Sequence, residues 1–271
     1  MKKLIVWTTL TALLAIPLSA LAADATLTAD VLSAYVYNGQ VGNDEAVFQP
    51  GLEVEGPYGF AFSLWANMNL TDNEAPWDPD TAGKWSEIDL GLSWTLPWEG
   101  PVGLTVGSTY FIYPQMSSDV EELEDGSVEA YQAPADGEYE VYVSVAAEEI
   151  LLAPSLTFYH GMANSDDWIA MFSIGHSLSI SDPLSLDLGA TVSYAGEYYI
   201  ANDYGSEAGS AFAHVQFDAG LNYALSEALS VGLTGSFSSI LDSDVRDDIK
   251  AGDVYPEVDI FFGGVTASYS F

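Results

Sequence analysis

Seven carboxylates keep a common rhythm in this 271-residue chain: Glu53, Glu87, Asp89, Glu138, Glu140, Asp187 and Asp218. Each falls out of phase with its apolar neighbours, and no lysine or arginine shares their segments. Carboxylates gathered on one wall without basic partners concentrate cations and repel anions. Nucleophilic catalysis makes different demands. Lipid hydrolases built into membrane barrels need a His, a Ser two residues on and a polar orienting residue, whereas His176 is followed by Ser177, Leu178 and Ser179. His176 also shares the phase of Phe172, Ile174 and Leu178, which puts it near an outer surface. His160 sits at a strand–loop junction, and His214 shares a phase with Gln216 and Asp218. Three scattered histidines make neither a metal site nor a triad, so no enzymatic activity and no cofactor are expected.

The balance of the whole chain points the same way. Its 40 Asp and Glu against five Lys and Arg give a net charge of −35, which repels nucleic acid. A content of 49% hydrophobic and 13% aromatic residues separates it from disordered polyanions. Two acidic stretches, DVEELED at 119–125 and DSDVRDD at 242–248, offer oxygens of the kind that bind Ca²⁺ or Mg²⁺. DPDTAG, from Asp78 to Gly83, has only part of a calcium-loop spacing, with Ala82 where a ligand belongs. All three are read as solvated loops. With no cysteine, neither a disulfide framework nor a lipid-anchored cysteine is available.

The elements that must position these carboxylates alternate with period two. Ile88, Leu90, Leu92, Trp94 and Leu96 oppose Glu87, Asp89, Gly91, Ser93 and Thr95, and Leu184 to Tyr194 oppose Ser185, Asp187, Gly189, Thr191 and Ser193. Ala211, Ala213, Val215, Phe217, Ala219, Leu221 and Tyr223 are expected on one face, against Phe212, His214, Gln216 and Asp218 on the other. Twelve such segments run over 26–38, 45–55, 59–70, 85–96, 101–113, 138–147, 151–160, 167–180, 183–195, 209–224, 228–240 and 257–271. Most span about 10 to 14 residues, where a tilted strand of about 9–11 crosses a bilayer. Connections alternate between long (39–44, 71–84, 114–137, 161–166, 196–208, 241–256) and tight (56–59, 97–100, 147–150, 181–183, 226–228). That layout predicts an all-β chain: a transmembrane, antiparallel, up-and-down β-barrel of about 12 strands. A soluble β-sandwich would also alternate, but with shorter strands and no end-to-end ordering of loop lengths. Tyr35, Tyr37, Trp94, Tyr110, Tyr113, Tyr159, Trp168, Tyr194, Tyr223 and Tyr269 near strand ends suit aromatic girdles.

The two ends of the chain fit export. MKK, the apolar run from Leu4 and Ala20-Leu21-Ala22 form the three parts of a signal peptide over 1–22, cleaved after Ala22 to leave a barrel over 23–271. At the other end GGVTASYSF closes on alternating aromatics, and Tyr269 with Phe271 resembles the signal read by the outer-membrane barrel assembly machinery.

One stretch carries a family likeness. ADVLSAYVYNGQVGNDEAVFQPGLEVEGPYGFAFSLWANMN, from Ala29, resembles the opening of the TorF-type porin family. Its members show an S-x-Y-V-x-x-G segment, a Q-x-x-L strand and a Gly-aromatic strand ending in W-x-N. Ser33, Tyr35, Val36, Gly39, Gln40, Gln49, Leu52, Gly59, Phe60, Trp65 and Asn67 match, while Asn38 stands where members carry Arg. The resemblance implies an outer-membrane barrel and a pore, and carries over no catalytic residue.

Twelve strands lie between barrels filled by side chains and barrels with wide channels. Inward positions rich in Gly, Ser and Thr leave room, and the acids beside them favour cations. The expectation is therefore a porin-like channel for passive diffusion of small solutes, cation-leaning, set in outer-membrane lipid. The alternative is a closed structural or surface-interaction barrel whose acidic external loops bind divalent cations or a partner. The 114–137 connection is long enough to fold inward as a constriction.

Overall fold

The computed structural model describes residues 24–72, 82–114, 120–122, 128–130, 138–162, 167–252 and 255–271. The expected signal segment, with Ala22, lies outside them, as do most of DVEELED and of DPDTAG. Twelve strands form one closed antiparallel barrel: β1 (Asp24–Leu32), β2 (Val47–Glu55), β3 (Phe60–Asn69), β4 (Trp85–Thr95), β5 (Gly103–Ile112), β6 (Glu138–Ala146), β7 (Ser155–Gly161), β8 (Trp168–Ser181), β9 (Leu184–Ala195), β10 (Ala211–Ala224), β11 (Leu229–Ile240) and β12 (Asp259–Ser270). Each pairs with its neighbours in sequence, and β12 returns to β1. Two short helices, α1 (Glu197–Asp203) and α2 (Ser243–Gly252), stand in the two connections that follow β9 and β11. No described helix is long and apolar enough to cross a membrane.

The apolar phase faces out. Leu233, Phe217 and Val265 are 59%, 53% and 52% exposed, whereas a sandwich would bury this phase between its sheets. A continuous apolar outer wall with a polar interior is the pattern of a barrel solvated by lipid. Closure satisfies every edge. The register runs from Thr26↔Ser270 to Leu32↔Gly264, and Ala25 and Phe271 exchange N–H···O bonds of 3.0 and 2.9 Å. The seam needs glycine at 264, because a Cβ there would lie 1.8 Å from the Val31 carbonyl oxygen.

Four expectations change. The first strand ends at Leu32 instead of 38, and Tyr35–Tyr37 pairs with Gln40–Asn43 in a separate hairpin. Its turn is Asn38-Gly39 with φ of 51° and 84°, the twisted two-residue turn that Asn-Gly adopts with least strain. The tight turn expected at 147–150 extends to 154, and β7 starts at Ser155 rather than 151. Pro154 has no N–H to give a strand ladder, so pairing begins after it. On β10 an extra residue opposite Ser193 shifts the register between Val192↔Val215 and Tyr194↔Phe212. This bulge turns Phe212 outward and brings Ala211, Ala213 and His214 in, reversing the expected faces of the first three. Finally, the aromatics divide. Trp168 and Tyr194 join Phe158 and Phe212 in an outer ladder with ring spacings of 5.6, 5.9 and 5.1 Å. Tyr35, Tyr37, Tyr113 and Tyr159 leave the expected girdle and crowd the interior.

Candidate functional site: the lumen

Register places every carboxylate of the sequence-derived set on the inner face. Glu53 stands opposite Thr26 and Ser63 near the end with the tight turns. Glu87 pairs with Asn67 and Asp89 with Trp65, on the β3–β4 ladder, nearer the end with the long connections. Glu138 and Glu140 follow on β6, opposite Phe111 and Thr109. Asp187 and Asp218 sit deeper, on β9 and β10. The structure therefore spreads the acids along the lumen axis, with one concentration on the β4–β6 wall. Tyr269 faces out toward Leu229, and Phe271 meets Ala25 at the seam.

The groups that hold these carboxylates bring no positive charge to the wall. Asp218 accepts from Gln216 Nε2 at 2.9 Å and Ser236 Oγ at 2.6 Å, and Asp187 accepts from Asn222 Nδ2 at 2.6 Å. Tyr35 donates its hydroxyl to Glu87 Oε2 at 2.6 Å. All are neutral donors, which orient a carboxylate without cancelling it. None of the twelve strands carries a lysine or arginine. One oxygen each of Asp30 and Asp89 is buried without a hydrogen-bond partner among the described residues. Asp30 was not among the sequence-derived candidates. The signal was present, since Thr26, Thr28 and Asp30 alternate with Leu27, Ala29 and Val31.

Sequence reasoning also missed what crosses the lumen. The hairpin 35–43 leaves the top of β1 and turns inward. Its base is fixed on β3 to β5: Tyr35 stacks 5.5 Å from Trp65 and bonds Glu87, Asn43 Nδ2 donates to Asn69 Oδ1 at 2.8 Å, and Tyr37 lies 6.3 Å from Phe111. Behind it, Gln49, Asn67 and Ser86 continue a buried amide network with bonds of 2.9 and 2.7 Å. The tip lies against β10 and β11, six strands round the ring from β4 and β5. There a Cβ on Gly39 would come 2.6 Å from the Cβ of His214, with Ile240 beside it. Asn38 Nδ2 donates to the Tyr199 hydroxyl at 3.0 Å, and Tyr204 donates its hydroxyl to the Asn38 carbonyl. The hairpin is thus a strut across a diameter.

Above β8 to β11, α1 and α2 make a small dry core. Ile200, Tyr204, Val245 and Ile249 pack on Ile169, Ala195, Ala213 and Ile240, all of them buried. Asp242 Oδ1 caps α2, accepting from the N–H groups of Asp244 and Val245 at 2.9 and 3.2 Å. The acidic stretch 242–248 is therefore a capped helix instead of an open loop. Among the described residues no group of three or more acids and histidines could hold a metal ion.

The histidines are dispersed. His176 lies exposed on the outer face, and His160 Nδ1 is 2.7 Å from the Asp167 carbonyl oxygen. His214 Nδ1 is 2.7 Å from Ser193 Oγ, a spacing that a nucleophile and its base would share. Both are at most 3% exposed and covered by the hairpin tip, so no substrate reaches them.

Among solved structures, the NanC porin superposes with a TM-score of 0.51 at 10% identity, over 89% of this chain and 98% of that one. The fold is a porin fold. The KdgM porin gives 0.49 at 9% identity over 92% and 99% of the two chains. An outer membrane channel from Pseudomonas putida F1 gives 0.47 at 10% identity over 95% and 97%. No protein-family model and no curated protein sequence matches the chain.

Proposed function

We propose that this barrel is an outer-membrane channel for passive diffusion of small solutes, with a preference for cations. The observation that carries the reading is the make-up of the inner wall: carboxylates from end to end, held by neutral donors, with no lysine or arginine on any of the twelve strands. In a low-dielectric tube such a wall raises the local cation concentration and excludes anions. The inner residues beside the acids, among them Gly91, Gly189, Thr191, Gly220, Gly232 and Thr234, are small. Export through a signal peptide ending at Ala22, insertion by the barrel assembly machinery through Tyr269 and Phe271, and membership of the TorF-type porin family belong to the same proposal. It assigns no catalytic step and no cofactor. Liposome swelling tests it: vesicles carrying the purified protein should swell with small amines and monosaccharides, whereas swelling no faster than empty vesicles would remove it.

The strut favours a second reading, a non-conducting barrel that acts as a structural or surface-interaction protein, its acidic external loops binding divalent cations or a partner. Under that reading swelling is absent, and substitutions in the lumen such as Asp89→Asn change no transport property.

A further inference from the structure

The strut divides the lumen rather than filling it. On the side of β1 and β10 to β12 a cavity of about 260 Å³ is lined by Asp30, Gly220, Asn222, Thr234, Phe262 and Thr266. The core of α1 and α2 rests on the tops of β8 to β11 and overlaps this arc at β10 and β11. On the other side, between the hairpin and the β5–β8 wall, lies a cavity of about 110 Å³. Its walls combine rings and carboxylates: Tyr37, Phe111, Tyr159 and Tyr199 with Glu138, Glu140, Asp167 and Asp203, and no basic residue. Tyr37, on the strut itself, is 37% exposed and forms the inner edge of this eyelet.

Resting on the reading of the barrel as a channel, we propose that the hairpin is a fixed constriction, and that the eyelet beside it passes small organic ammonium ions in preference to alkali cations. Three features carry this. First, the strut is tied at both ends, so it sets a size limit and does not swing freely. Second, an alkali ion is best served by water or by several converging oxygens, and among the described residues no group of acids is arranged to ligate a metal. Third, a ring face attracts an alkylammonium ion within about 6 Å of its centroid, and such ions shed water more readily than small metal ions. Carboxylates supply the charge, and the rings supply the discrimination. The volume suits several waters or one such ion, and excludes sugar chains in a folded state. Asp203 supports the assignment: burial, then the nearby Asp167 and Glu138 carboxylates, push its carboxyl up to about 7, the response of acids packed together without a counter-ion.

Bi-ionic reversal potentials in planar bilayers, with choline chloride facing potassium chloride, test the inference. For the full-length mature protein the choline-to-potassium permeability ratio should exceed one, although choline diffuses more slowly in water. Tyr37→Leu should lower that ratio about 2–5-fold while changing potassium conductance little. Replacing 35–43 by a Gly-Ser-Gly link should raise potassium conductance at least about 2-fold and bring the ratio below one, with heat-modifiable gel migration as the check that the variant barrel is folded. A wild-type ratio below one, or readings unchanged in both variants, overturns this inference and leaves the channel reading standing. Absence of current from wild type and shortened variant alike overturns both.

Discussion

The barrel has a tall arc and a short one. Strands β8 to β12 run 12 to 14 residues, while β1 to β7 run 7 to 11. A bilayer asks for about 9–11 tilted residues, so the tall arc has a turn or so of strand to spare. It uses the surplus to build soluble-protein architecture: Ile169, Ala195, Ala213 and Ile240 at the strand tops are buried beneath two helices. The short arc has no such surplus. Its wall ends among Glu87, Glu138, Glu140 and a set of tyrosines around the eyelet. The same inner face thus carries a dry core beneath the helices of the tall arc and, where that arc meets the short one, an acid-lined cavity.

If that division is right, the arcs should fail separately. Ile200→Ala or Ile249→Ala removes fully buried methyls from the helical cap and should cost about 2–5 kcal/mol of local stability. Hydrogen exchange should quicken in α1, α2 and residues 204–206 while the strands stay protected. Loss of heat-modifiable migration would show that cap and barrel are one unit. Gly39→Val strikes the join between the arcs. It forces a β-branched residue to φ of 84° and a Cβ into His214, for a cost of about 1–3 kcal/mol, and exchange should rise across 35–43 alone.

Much of this was legible in the sequence, and the losses have physical causes. Period two set the strands and the inner phase of all seven acids, because one residue per face leaves no other choice once an apolar face meets lipid. The bulge at Ala213–His214 was hidden, since an inserted residue breaks the period that would reveal it. The hairpin was hidden differently. Tyr35 to Asn43 alternates like wall, and only Asn38-Gly39 marks a turn, which was read as the start of a loop beyond a longer first strand. The 114–137 connection is long enough to fold inward, and most of it lies outside the described residues, whereas the strut comes from the first connection. Tyrosines at strand ends looked like girdle, but position along a strand does not tell outer ring from inner ring; phase does.

Smaller effects refine the contrast. Arg246 grips Asp259 with both terminal guanidinium nitrogens and donates to the Ile240 carbonyl oxygen at 2.7 Å, tying α2 to the tall arc. The pair is open to solvent, so Arg246→Met should cost only about 0.2–1 kcal/mol and show in exchange from α2. The pH response should come from the eyelet, where Asp203 at the end of α1 faces the acids of the short arc. Because the Asp203 carboxyl titrates near 7, it is charged above that and neutral below it. Cation preference should therefore be greater at pH 8 than at pH 6, by less than about two-fold for one charge among many. Asp203→Asn should flatten that step, and a step that persists would place it elsewhere.

The central claim, that an acid-lined lumen conducts and favours cations, is tested most directly by one reversal potential. The purified protein is recorded in a planar bilayer under a ten-fold potassium chloride gradient at pH 8. The account predicts step-like channels whose reversal potential lies toward the potassium equilibrium value. A reversal toward the chloride value would contradict it, and so would a bilayer that stays silent with correctly folded barrel present.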